Sequence, residues 1–335
     1  MARIDNLNNF LTDVADSIRE KKGTTELIPA SAFDTEIDSI SGGGGGGEWQ
    51  PHPDWWDIET ILKEDTEGLA KVILLIRDLE DTSSLGSVSG SADGIARMIK
   101  TSDGTTYTSN EHNISHTWDK TKDKPCSLGY KTRYVIYYYD EYVREFSNSN
   151  LAATVLYAVC DTTWQTNSTS AIHIFSSPID LSYLLEGVKC IGNNIFTGRN
   201  GKNVKVYVTN NSSNLKSIEG VKVASHITEI NTLYTSNCTI EKLTFDNVDC
   251  TNITTLPSLS KASKLKHLSG LRNINANFTL TEAMSLTKES LLEIINNLID
   301  LTGQTAKTLT LGKYNLPKLT TEELAIATNK NWTVS

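Results

Sequence analysis

Apolar residues recur at one fixed spacing along the second half of the chain. Leu215-Lys-Ser-Ile218 returns 25 residues on as Ile240-Glu-Lys-Leu243, and 25 further as Leu265-Lys-His-Leu268. The first and third copies continue alike, as Ile218-Glu-Gly220-Val221-Lys222 and Leu268-Ser-Gly270-Leu271-Arg272. A period of this length with Leu/Ile anchors predicts a stacked solenoid, in which one turn buries its apolar edge only against the next. An evenly spaced β-sandwich is the competing reading. Leu184-Leu-Glu-Gly187-Val188-Lys189 echoes the motif out of register, as an irregular terminal repeat would.

Elsewhere the spacing changes. Ile4, Leu7, Phe10, Leu11, Val14, Ala15 and Ile18 follow three- and four-residue steps, which predicts an amphipathic helix over 3–22 ended by Gly23. A second short helix is predicted from Pro29 to Ile40. Their apolar stripe needs a partner, so Leu7, Phe10, Leu11, Val14 and Ile18 are the candidate anchoring or oligomerising residues. Six glycines, Gly42 to Gly47, follow as a flexible joint; a phosphate-binding loop would need a preceding strand and a following Lys-Ser/Thr. Lys71 to Arg77 and Lys131 to Asp140, rich in β-branched and aromatic residues, predict strands, as do Leu151 to Cys160 and Ala171 to Phe175. Between them Ser102-Asp-Gly-Thr-Thr106 reads as a turn. Thr287-Lys-Glu-Ser290 predicts a capped helix running to Gly303, and a last helix is expected from Thr321 to Ala327.

The expected fold is therefore multidomain α+β: an N-terminal helical segment (1–41), a Gly-rich linker (42–48), a central antiparallel β domain (49–178) and a C-terminal leucine-rich-repeat-like solenoid with a helical cap (179–335). Composition narrows what such a chain does. Its 335 residues carry a net charge of −9, with 38% hydrophobic residues. So acidic a chain is a poor general binder of nucleic acid, and anionic membrane surfaces are disfavoured too. The N-terminus lacks an apolar signal region, and the apolar run Val72 to Ile76 is too short to span a bilayer, so synthesis in the cytoplasm without membrane insertion is expected.

Candidate chemistry is sparse. Five cysteines at wide spacing read as buried free thiols, and the lack of Cys-x-x-Cys argues against structural zinc. His112 and His116 stand at i,i+4, a metal spacing only on a helix, whereas their surroundings read as loop or strand. No Gly-x-Ser-x-Gly elbow occurs. No metal ligand, cofactor or catalytic residue is named. Trp55, Trp56 and Trp118 are candidate glycan-stacking residues with Asp57 and Asp119 beside them, although burial of the rings is the plainer expectation.

The segments Thr287 to Gly312 and Leu319 to Trp332 resemble the C-terminal repeats of BspA-like leucine-rich proteins, which occur in phages and prophages of Gram-positive bacteria. Ala15-Asp-Ser-Ile-Arg-Glu-Lys-Lys-Gly23 with Ile28-Pro-Ala-Ser-Ala-Phe33 resembles the opening of phage tail and baseplate-associated fibre proteins. Trp55-Trp56-Asp57-Ile58, Thr117-Trp118-Asp119-Lys120 and Cys126 to Tyr130 resemble a middle module of the same class. The resemblance implies a virion structural protein, a tail fibre or receptor-binding protein. It would be held to other tail or baseplate proteins through its N-terminus, is expected as a homotrimer, and would contact host polysaccharide or surface protein. It carries no catalytic motif, so no enzyme activity is expected. A tail-associated polysaccharide depolymerase with its carboxylates in 49–178, and a bacterial leucine-rich-repeat adhesin, are the alternatives.

Overall fold

The computed structural model describes residues 49–77, 81–89, 95–140, 142–143, 154–166, 172–175, 185–192, 195–198, 203–208, 215–232, 239–259 and 262–335, with isolated positions before residue 30. Two compact units are separable, Met1–Gln50 and Pro51–Ser335. In the first, Leu11, Val14 and Ala15 have helical backbone, with Leu11 and Val14 half-buried. Leu7, Phe10, Ile18, residues 30–40 of the second expected helix and the six-glycine joint lie outside the described residues, and Pro29, where that helix is expected to begin, is not helical.

The second unit grows from one strand. Val72 to Ile76 is an unbroken apolar run with every side chain buried, the mark of a strand covered on both faces. The ten strands of the main sheet are β1 (Ala70–Arg77), β2 (Met98–Thr101), β3 (Thr106–Tyr107), β4 (Lys124–Pro125), β5 (Lys131–Tyr139), β6 (Thr154–Asp161), β7 (Gly187–Cys190), β8 (Ser217–Val221), β9 (Lys242–Asp249) and β10 (His267–Arg272). Their spatial order is β10-β9-β8-β7-β6-β1-β5-β2-β3, with β4 paired to β5. Strand β1 lies antiparallel to both neighbours, with Ile73 opposite Ile136 on one side and Val159 on the other. From β6 outward the pairing turns parallel through β7, β8, β9 and β10. Helix α1 (Ile58–Glu64) buries Ile58 and Leu62 against β1 and β6.

The expected α+β architecture, with a helical segment, a separate antiparallel domain and a solenoid, is therefore not what this chain builds. It is mostly β, with 40% strand and 18% helix, and has one large mixed sheet in place of a solenoid. The physical reason lies at β6. Its outer edge pairs directly with β7, Val188 opposite Ala158 and Cys190 opposite Cys160, so the sheet runs straight through the boundary placed near residue 178. The repeat survives as register: Ile218, Leu243 and Leu268 stand side by side on adjacent parallel strands, each fully buried.

Beyond β10 the chain folds over the end of the sheet. Helix α2 (Lys288–Asn296) starts where Thr287 accepts from the Ser290 N–H, as the sequence predicts. It stops well before Gly303, because the Asn297 side chain donates to the Glu293 carbonyl and Leu298 follows bridged to Ile274. Ser290 and Glu293 accept from the Leu268 and Gly270 N–H groups at 3.1 and 2.8 Å, so side chains of α2 occupy the free edge of β10. Helix α3 (Gly312–Asn315) is a single turn, and α4 (Thr321–Asn329) opens with a full capping box between Thr320 and Glu323. The Lys330 ammonium donates to the carbonyls of Asn296 and Leu298 at 2.7 and 2.9 Å, fastening α4 to the C-terminal end of α2. Among the described residues no helix is long and apolar enough to cross a membrane.

Candidate functional site

Three polar assemblies stand out in the second unit. The deepest is centred on Asp103, in the turn between β2 and β3. Its carboxylate accepts from the Thr101 hydroxyl at 2.6 Å and from the N–H groups of Thr105 and Asp119 at 3.2 and 3.1 Å. It also meets His116 Nε2 at 2.9 Å, while His116 Nδ1 faces the Tyr107 hydroxyl at 2.9 Å. His116 is buried on the strand Glu111–Thr117, and His112 is exposed, so the pair does not converge. Trp118 packs edge-on against His116 and donates to the Ser83 hydroxyl at 2.9 Å. Arg133 lies over the Trp118 ring and makes a two-pronged contact with Asp123 at 2.6 and 2.9 Å. The hydrogen bonds described for this group join its own members, which is how buried polar residues fix a core.

Burial pushes the Asp103 carboxyl upward, but the bonds from Thr101, Asp119 and Thr105 and the adjacent His116 outweigh it and leave the group at about 2, below its usual 3.8. A depressed acid adds stability that is complete above the unfolded value and disappears as pH falls through the folded one. The gap amounts to roughly 2 kcal/mol. Urea unfolding of the parent and of Asp103→Asn is therefore expected to show a stability difference that is constant above about pH 4 and shrinks between pH 4 and 2. A difference independent of pH across that window would remove Asp103 as the titrating group.

The second assembly is the lead-in of residues 51–57, which turns where the Trp55 N–H donates to the His52 carbonyl at 3.0 Å and lies against the hairpin between β4 and β5. Trp55 is 4% exposed and donates through its indole N–H to the Tyr130 hydroxyl at 3.0 Å. Trp56 is half-buried, donates to the Thr132 carbonyl and meets Tyr134 edge-on. Of the three candidate stacking tryptophans, Trp55 and Trp118 are thus buried, and Trp56 alone keeps part of its surface open. The neighbouring acids have backbone duties. Asp57 caps α1 by accepting from the Thr60 N–H, and Asp119 caps the turn Lys120–Lys122 by accepting from the Thr121 N–H.

The lead-in also brings together residues the sequence reading did not single out. His52 Nδ1 lies 3.7 Å from Cys126 Sγ and 3.8 Å from Asp54 Oδ2. His52 and Asp54 are half-buried and Cys126 is buried. A thiol beside an imidazole invites comparison with a cysteine hydrolase. In that arrangement the acid orients the base from its far ring nitrogen. Here Asp54 approaches the same nitrogen as the thiol, and its backbone N–H donates to that nitrogen at 3.2 Å. The local signal available was His52-Pro-Asp54, but its third member comes from 72 residues further along the chain, a juxtaposition no spacing rule anticipates. The other described cysteines, Cys160, Cys190 and Cys250, are buried thiols outside any disulfide; burial pushes the Cys250 thiol up to about 12.

The third assembly is a lattice of ion pairs across the parallel strands. Glu241 meets Lys216 at 3.7 Å and Lys266 at 3.2 Å, on either side of it. Glu219 meets Lys242 at 2.8 Å, and Lys222 meets Asp246 at 2.8 Å. Most of these groups are partly exposed, and they alternate in sign from strand to strand. No family model matches the chain, and no curated protein or solved structure is detectably similar to it.

Proposed function

We propose that the chain is a structural attachment protein of a phage tail, a tail fibre or receptor-binding protein that joins the particle to the host surface. In this reading the N-terminal residues anchor to other tail or baseplate proteins or self-associate as a trimer, and the β-rich remainder meets host polysaccharide or surface protein. Support comes from the resemblance at both ends and in the middle of the chain. The observation that carries it furthest is the ion-pair lattice on the parallel strands, from Lys216 and Glu241 to Lys266. Such a lattice offers a broad polar flank for recognition. The deeply buried charges at Asp103 and Asp123 are spent on internal partners and support the scaffold.

Deletion of residues 1–47 tests the reading. The truncated protein is expected to be missing from particles while the purified remainder still binds host cells. Normal incorporation of the truncated chain, or failure of the folded remainder to bind, would overturn it. Release of sugar from purified host wall by the full chain would replace it with the depolymerase alternative.

A further inference from the structure

We propose that His52, Asp54 and Cys126 form a zinc-class metal site that clasps the lead-in to the β4–β5 hairpin. The inference is independent of the attachment reading. Zinc bound by sulfur, nitrogen and oxygen has bond lengths of about 2.0 to 2.3 Å, which place neighbouring ligands about 3.3 to 3.6 Å apart in a tetrahedron. The imidazole-to-thiol and imidazole-to-carboxylate separations of 3.7 and 3.8 Å are close to those edges, and all three ligand atoms lie within 4.8 Å of one another. Closing the remaining edge needs only a small side-chain adjustment.

The surroundings hold each ligand in place. Cys126 opens the hairpin turn: its N–H donates to the Tyr130 carbonyl at 2.8 Å, and its carbonyl accepts from the Gly129 N–H at 3.0 Å. Gly129 has φ +84°, a left-handed conformation that suits glycine and closes the turn. Asp54 Oδ2 accepts from the Ser127 N–H at 3.0 Å, an outer contact of the kind that orients a metal-bound carboxylate. The Tyr130 hydroxyl, itself held by Trp55, lies beside the thiol.

Charge and stoichiometry agree. A thiolate and a carboxylate neutralise a divalent cation, and the neutral imidazole adds a third donor without adding charge. Binding breaks the Cys126 S–H bond, forms a metal–sulfur bond and releases one proton to solvent. It also draws the Nδ1 lone pair away from the Asp54 N–H, leaving the ring proton on Nε2. Three protein donors leave a fourth position, which water fills because His52 and Asp54 are partly open to solvent.

The test is a titration of the reduced full-length chain with cobalt(II), the spectroscopic stand-in for zinc. A thiolate-to-cobalt charge-transfer band is expected in the near ultraviolet. It should saturate at one equivalent, disappear on zinc addition, and be accompanied by one proton released per metal. Cys126→Ser removes the band. His52→Gln and Asp54→Asn, which alter half-buried positions and leave the thiol in place, each weaken cobalt binding at least about tenfold, with circular dichroism confirming that they fold. A wild-type chain that gives no band, or a band of equal affinity in both His52→Gln and Asp54→Asn, would overturn the proposal.

Discussion

Replacing Arg133 by methionine is expected to lower the unfolding free energy by about 3–5 kcal/mol, the cost of leaving a buried charge without its partner. Arg133 and Asp123 each have only 2% of the side chain exposed, and the guanidinium meets both carboxylate oxygens. Methionine fills much of the volume, so the loss is electrostatic and not a cavity. The carboxylate that remains is 2% exposed and loses both of these hydrogen bonds. The companion variant Arg133→Met/Asp123→Leu separates the pair's own contribution from this penalty. It is expected to recover most of the loss, since paired apolar replacements of buried ion pairs are often close to neutral. Stacking of Arg133 over Trp118 is lost in both variants. Urea unfolding followed by tryptophan fluorescence measures the series. A single-variant cost under about 1 kcal/mol would mean that water reaches the pair.

Gly270→Ala is the second large effect, expected at roughly 3 kcal/mol. Gly270 has φ +81°, and a Cβ built there falls 1.9 Å from the Phe245 carbonyl oxygen and 2.6 Å from its carbon. Both atoms belong to the backbone of β9, so neither turns aside as a flexible side chain would. Gly303 supplies the control. It has φ +77° with nothing within 4 Å of its Cβ position, so Gly303→Ala bears only the conformational cost of about 1 kcal/mol. Thermal unfolding of the two variants should differ clearly. Equal midpoints would show that β9 and β10 part easily at this position.

The same glycine shows how much of the architecture was readable in advance. Gly220 and Gly270 recur in the repeat copies because each meets the backbone of the preceding strand, Cys190 for the first and Phe245 for the second. Strand signals at Lys71 to Arg77 and Lys131 to Asp140 were legible because β-branched and aromatic side chains favour a pleated, covered surface. Observed bounds differ from the predicted ones by a single residue at one end of each. The Thr287 cap was legible because capping is local. How the pieces join was not. A repeat period fixes which residues stand opposite one another in β8, β9 and β10, but it says nothing of what adjoins the first of them. That neighbour is β6, through the Val188–Ala158 register, and its pairing turns an expected stack into an extension of one sheet. Arg133–Asp123 and His52–Cys126 were hidden for a related reason, since their meeting depends on how the hairpin and the lead-in pack. The acids that did draw attention, Asp57 and Asp119, sit beside tryptophans because they cap the turns those rings precede.

The side chains of α2 that occupy the edge of β10 have a consequence for crowded copies of this chain. An open strand invites a visiting backbone to extend the ladder, the first step towards domain exchange or fibril growth. At this end the amide hydrogens of Leu268 and Gly270 are already spoken for by Ser290 and Glu293, so a neighbouring molecule finds those two donors taken. Removing those two acceptors would turn a sealed margin into a template, and the first sign would be turbidity on concentration, not a loss of fold.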